Sequence, residues 1–186
     1  MESPEYHTKE ILVLGCGNIL FGDDGFGPDV ADYLLGHYSI PENSDVLNLG
    51  LSTRGFIFDI LLSETRPQRI IIVDAMSSNG RKSGEIFEVP LDNLIKEKVD
   101  DFSFHQGPTS NLLKELRDIC SVEVIIIACQ PQNIPGEMMR GLSEPLKKAV
   151  PEVSELIYNK YLNIPQLSLR GAPLKSGINS ATKQFR

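Results

Sequence analysis

Three side chains in this sequence have the types and placement to hold a metal ion: Asp24, Asp74 and His105. Asp24 follows Asp23 in a glycine-rich stretch, Gly15-Cys-Gly-Asn-Ile-Leu-Phe-Gly-Asp-Asp-Gly-Phe-Gly27, directly after the apolar run Ile11–Leu14. Asp74 ends the β-branched run Arg69-Ile-Ile-Ile-Val-Asp74, and His105 lies in Phe104-His-Gln-Gly107, just ahead of Pro108-Thr109. Two carboxylates and an imidazole form an incomplete shell for a divalent cation such as Zn, Ni, Mn or Fe, with positions left for water or substrate. An ion held that way polarises a carbonyl and brings the pKa of bound water toward ~7, which hydrolysis of an amide at neutral pH requires. The residues alone therefore point to a metal-assisted hydrolase.

Each of these residues also has a plainer reading. Asp23 and Asp24 suit a helix cap and its solvated neighbour, Asp74 could bond the amides of the following loop, and His105 could be a packing residue. Cys16 and Cys129 fall at strand ends, where a thiolate with His105 as base competes with the commoner case of inert buried thiols. Gly15-x-Gly17 after a first strand suggests a dinucleotide turn, but Leu20 stands where the third glycine belongs, and no acid ends the second strand, Val46-Leu-Asn-Leu-Gly50. No Gly-x-x-x-x-Gly-Lys-Ser/Thr loop is present. A nucleotide-using enzyme is thus the weakest alternative.

The elements that must position the acids follow from patterning. Ile11–Leu14, Val46–Leu49, Arg69–Asp74 and Val122–Ala128 are short aliphatic runs without alternation, as in parallel strands covered on both faces. Glu85–Val89 alternates like an edge strand. Helical signals cover Pro28–His37, Phe56–Leu62 after Ser52-Thr53, Pro108 through about Ile119, and Ser143–Leu162 with an expected break or bend at Pro151. The Ser52-Thr53 pair is the expected cap of its helix, and Asp24 or a neighbour that of the helix at Pro28. This order predicts a three-layer α/β/α domain with a twisted, mostly parallel sheet and right-handed crossovers. In such sheets ligands gather beyond the carboxyl ends of the strands, so Asp24 and Asp74 belong to one rim.

Composition narrows the class. A chain of 186 residues with 41% hydrophobic content suits one domain, expected over residues 1–162, with a basic tail over 163–186 that holds Arg170, Lys175, Lys183, Arg186 and no acid. The net charge of -7 argues against nucleic acid as a partner. The polar start and the glycines that interrupt the first apolar run argue against a signal peptide or membrane span. Three cysteines without a C-x-x-C pair predict free thiols and a cytoplasmic setting.

At these same residues the sequence resembles the NiFe-hydrogenase maturation endopeptidases, most closely the archaeal ones that process coenzyme F420-reducing hydrogenase. The resemblance lies in Leu14–Gly27, Ile72-Val-Asp-Ala75, Phe104-His-Gln-Gly107 and Gln130-Pro-Gln-Asn133, in that order, and extends over roughly residues 9 to 160. It implies a single α/β domain with a five-stranded sheet, and an aspartic-type endopeptidase that removes a C-terminal extension from the hydrogenase large-subunit precursor once nickel has been inserted. The metal-contacting positions it implies are Asp24, Asp74 and His105, with nickel supplied by the substrate or another divalent metal in its place. Many relatives carry Glu where Asp24 stands and an Asp where this chain has Gly50. A non-catalytic factor that holds the nickel-loaded precursor is the alternative of a different class.

Overall fold

A computed structural model describes residues 8–96 and 109–163 of the chain. Its strands are β1 (Ile11–Cys16), β2 (Ser44–Gly50), β3 (Arg69–Ala75), β4 (Ile86–Glu88) and β5 (Glu123–Cys129). They form one sheet in the order β2-β1-β3-β5-β4. The first four in that order are mutually parallel, and only the edge strand β4 runs antiparallel to its neighbour β5. The helices are α1 (Phe26–His37), α2 (Thr53–Leu62), α3 (Asn93–Lys96), α4 (Thr109–Asp118) and α5 (Glu144–Ile157).

Strand alternation sorts the core into two layers. Ile11, Val13, Ile71, Val73, Ile125 and Ile127 face α1 and α5, where they meet Val30, Leu34, Leu146 and Val153. Leu12, Leu14, Ile70, Ile72, Ile126 and Ala128 face the other way, onto Ile57 and Ile60 of α2 and Leu113 and Leu116 of α4. Burial on both faces explains why these strands read as unbroken aliphatic runs, each fully buried side chain contributing roughly 1.5–3 kcal/mol. The expected three-layer α/β/α architecture with a five-stranded, mostly parallel sheet is what the chain forms.

One local expectation is corrected and two are borne out in position only. Pro151 lies inside α5 without ending it, and the helix continues into a π-helical turn at Tyr158–Leu162. Buried Val150 and Val153 on either side of the proline show why: packing against the sheet outweighs one missing amide bond. The N-cap of α1 is Gly25, the neighbour of Asp24, as expected, but no side-chain bond caps the helix; a 3-10 turn over Gly22–Gly25 feeds it. Ser52 does occupy the N-cap of α2 but makes no side-chain cap bond, and the Thr53 hydroxyl turns back to the Gly50 carbonyl instead, at 3.1 Å.

Candidate functional site

The carboxyl ends of β1 and β3 lie side by side, with Gly15 opposite Val73, so the loops that leave them share one rim. Gly17 makes the first turn of that rim at φ 121°, a conformation that L side chains rarely adopt. A Cβ at Gly17 would fall 1.9 Å from the Asp24 carbonyl oxygen and 3.4 Å from Asp74 Oδ1. Two of the three predicted site residues, distant in the chain, thus border the same glycine. The Asn18 amide donates to the Asp24 carbonyl at 3.0 Å, which fixes the 3-10 turn against the loop. Gly27 closes the arrangement from the helix side: a Cβ there would lie 2.2 Å from the Val73 oxygen and 2.3 Å from the Cys16 oxygen, so α1 seats directly on the backbones of β3 and β1.

Asp24 is 4% exposed and Asp74 is 1% exposed, an unusual burial for carboxylates in a chain that has polar surface to spare. Asp74 Oδ1 accepts the Ala75 amide at 2.8 Å, so its expected bond to the following backbone is present alongside any chemical role. His105 lies outside the described residues. The helix that follows it, α4, packs on the sheet face to which Ile72, Asp74 and Met76 alternate. Among the described residues, no group of three or more His, Cys, Asp or Glu side chains is gathered as a metal site.

The neighbouring acid does something else entirely. Asp23 Oδ2 accepts the amides of Gln132 at 2.7 Å and Asn133 at 3.0 Å and the Ser143 hydroxyl at 3.0 Å, while Oδ1 accepts the Ser143 amide at 2.7 Å. All four donors come from the segment between β5 and α5. The same two stretches add a short parallel ladder: the Met139 amide donates to the Leu20 carbonyl at 2.9 Å and the Gly22 amide to the Met139 carbonyl at 2.6 Å. Gln130 ties in a third loop, its Oε1 accepting the Ser78 amide at 2.7 Å. The Gln130-Pro-Gln-Asn133 stretch therefore works as a brace for the rim. Sequence reasoning missed the bracing role of Asp23, since two adjacent aspartates look identical until the partners are known. The polar, proline-rich loop after β5 was the only available signal.

Burial argues against Cys16 or Cys129 as a nucleophile. Cys16 is 4% exposed, receives a hydrogen bond from the Thr53 hydroxyl at 3.1 Å, and is pushed well above the usual thiol range by burial and then by the Asp74 charge. Burial first, then Asp23 and Glu152, pushes Cys129 up to about 12. Neither supplies a thiolate at neutral pH. All three cysteines are free, as expected.

The loops of this end of the sheet carry exposed apolar side chains. Ile19, Leu51, Met138 and Met139, from three different loops, are each at least 50% exposed. Among the described residues no helix is long and apolar enough to cross a membrane.

Comparison with known proteins agrees with this arrangement. The profile of the hydrogenase maturation proteases matches residues 28–160. This chain belongs to that family. It is 33% identical over 156 residues to the coenzyme F420 hydrogenase subunit delta of Methanothermobacter thermautotrophicus, a match covering 83% of this chain and 96% of the relative. The hydrogenase 3 maturation protease of Escherichia coli K12 is 27% identical over 150 residues, covering 80% and 86% of the two chains. Among solved structures, a hydrogenase 3 maturation protease superposes with a TM-score of 0.65 at 28% identity, covering 80% of this chain and 89% of that one. The maturation protease from Thermococcus kodakarensis KOD1 gives 0.63 at 26% identity, covering 82% and 91%. The family profile begins after Asp24, so membership rests on the helices and later strands independently of the glycine-rich turn.

Proposed function

We propose that this maturation protease removes a C-terminal extension from the large-subunit precursor of a NiFe hydrogenase after nickel has been inserted, and that Asp24, Asp74 and His105 engage the precursor's nickel. The observation that carries the reading is that two buried acids share the sheet's carboxyl rim, the Asp74 carboxylate and the Asp24 backbone both bordering Gly17, in a chain of this family. Nickel here is part of the substrate, and when bound it supplies a Lewis acid for the scissile carbonyl or an acidified water. Asp74 and His105 hold the ion, while Asp24 holds it too or orients the attacking water as an aspartic-type base. An incomplete set of donors suits an ion that arrives with its carrier and leaves with it. The Methanothermobacter relative's name supports the coenzyme F420-reducing hydrogenase as the enzyme served.

The test compares nickel-loaded with nickel-free precursor in the presence of the purified protein. Trimming of the loaded form alone is expected, and equal trimming of both, or of neither, refutes the proposal. Asp24→Asn then separates a protease from a factor that merely holds the precursor: the variant should bind and fail to trim.

A further inference from the structure

Helix α2 carries apolar side chains on both of its faces. Ile57 and Ile60 are buried on the sheet side, with Phe56 and Leu61 packed beside them. The outer side presents Phe58 at 47% exposure and Leu62 at 67%, and Leu51, in the turn just before the helix, at 60%. A helix that is apolar on every side belongs to an interior, yet these three side chains stand in solvent. We propose that the outer side of α2 is the seam of a dimer, along which a second copy of this chain lays its own α2 in parallel. The spacing selects that occupant. Leu51, Gly55, Phe58 and Leu62 follow one another at intervals of four, three and four residues, the alternation that lines the seam between two paired helices. The Ser52 cap has helical backbone, φ -82° and ψ -1°, so Leu51 continues the row.

A glycine and two charges fix the arrangement. Gly55 is exposed, and a Cβ there would meet nothing within 4 Å, so this chain's own packing does not call for a glycine inside the helix, where only proline is a poorer residue. Opposite a second Gly55 it lets two backbones approach closely. Arg54 and Asp59 are exposed on the two flanks of the row, and among the described residues neither has an ion-pair partner. Arg54 precedes Gly55 and Asp59 follows Phe58, the flanking positions whose charges pair across such a seam. In a parallel pair each flank faces the partner's opposite flank, so Arg54 of each copy meets Asp59 of the other and the pair forms twice. In an antiparallel pair like flanks meet, and neither charge would find its opposite. A second copy is therefore matched in shape and in charge. Because α2 runs from the end of β2 back to the start of β3, a two-fold axis along it leaves both carboxyl rims at the same end of the dimer. One helix of 10 residues spans ~15 Å, which places the contact among small, concentration-dependent interfaces.

Sedimentation equilibrium of the purified chain, from micromolar to millimolar concentration, reads the association. The average mass should rise from that of one chain toward that of two. Arg54→Asp and Asp59→Arg each set like charges against one another at both places in the seam, and each should raise the dimer dissociation constant by about tenfold or more. The double variant Arg54→Asp/Asp59→Arg restores opposite charges and should return the constant to within about threefold of the wild type's. Both positions are exposed, so the variants should melt where the wild type does. Phe58→Ser should leave a monomer. The mass of one chain at every concentration overturns the dimer; a dimer unmoved by the single changes, or not restored by the double one, overturns the parallel seam. The measurement needs no precursor, so its outcome is independent of whether the chain trims one.

Discussion

The Asp23 brace gives the most quantitative expectation. Its carboxylate takes four hydrogen bonds, three on Oδ2 and one on Oδ1, and every donor belongs to the segment between β5 and α5. In Asp23→Asn the amide nitrogen must face at least one of these donors. The smallest loss is the Oδ1 bond from the Ser143 amide, with the other three weakened as the charge goes. A hydrogen bond to a charged group contributes ~1.5–3 kcal/mol, so the variant should lose about 2–3 kcal/mol. Asp23→Ala strands three amides and a hydroxyl; water relieves part of that at exposed Gln132 and Asn133, leaving a loss of about 4 kcal/mol. Against a total of ~5–15 kcal/mol the alanine variant is marginal, whereas the asparagine variant folds and melts ~4–10 °C lower. Urea denaturation measures both. Ser143→Ala, which removes only the hydroxyl, should cost ~1 kcal/mol, and the double variant Asp23→Asn/Ser143→Ala should cost less than the sum. If Asp23→Asn stays within about 0.5 kcal/mol of the wild type, or the two changes add fully, the brace does not hold the rim together.

Gly17→Ala puts a methyl 1.9 Å from the Asp24 carbonyl oxygen on a backbone at φ 121°, so the turn must shift at a cost of roughly 3 kcal/mol or more; a denaturation midpoint equal to the wild type's would contradict it. A thiol reagent at pH 8 should modify half-buried Cys120 first and reach Cys16 and Cys129 only on unfolding, as peptide mapping of the labelled native protein will show.

Much of this molecule was readable from the chain because its determinants are local. Ile70, Ile71 and Ile72 are all fully buried, three in a row, which only a strand covered on both faces accommodates. The carboxylate after them had to reach the strand's end, and Asp74 does. What stayed hidden depends on partners far along the sequence. Asp23 meets Ser143 across 120 positions, and Thr53 meets Cys16 across 37; no spacing rule joins such pairs. The helix α3 and the 3-10 turn at Gly22–Gly25 were also missed, each being too short to show a period. Pro151 misled because intrinsic propensity is a weak guide where a helix is pressed onto a sheet by Leu146, Val150, Val153 and Ile157.

The glycine-rich turn after β1 shows how one backbone solution serves opposite chemistries. In a dinucleotide fold the corresponding turn lets a pyrophosphate approach the helix N-terminus. Here the space over Gly17 is taken by the Asp24 carbonyl and the Asp74 carboxylate, and Asp23, Asp24 and Asp29 supply the negative charge at the head of α1. A phosphate brought there would meet buried acids, and the turn has Leu20 where a third glycine would let it closer. A dinucleotide at ~100 times its dissociation constant would stabilise the fold by about 2.7 kcal/mol, a rise of ~5–10 °C in melting temperature for a chain of this size. Millimolar NAD should therefore leave the melting curve where it was. A rise of several degrees would mean that the turn binds phosphate after all, and the assignment of its two acids to a cation would fall with it.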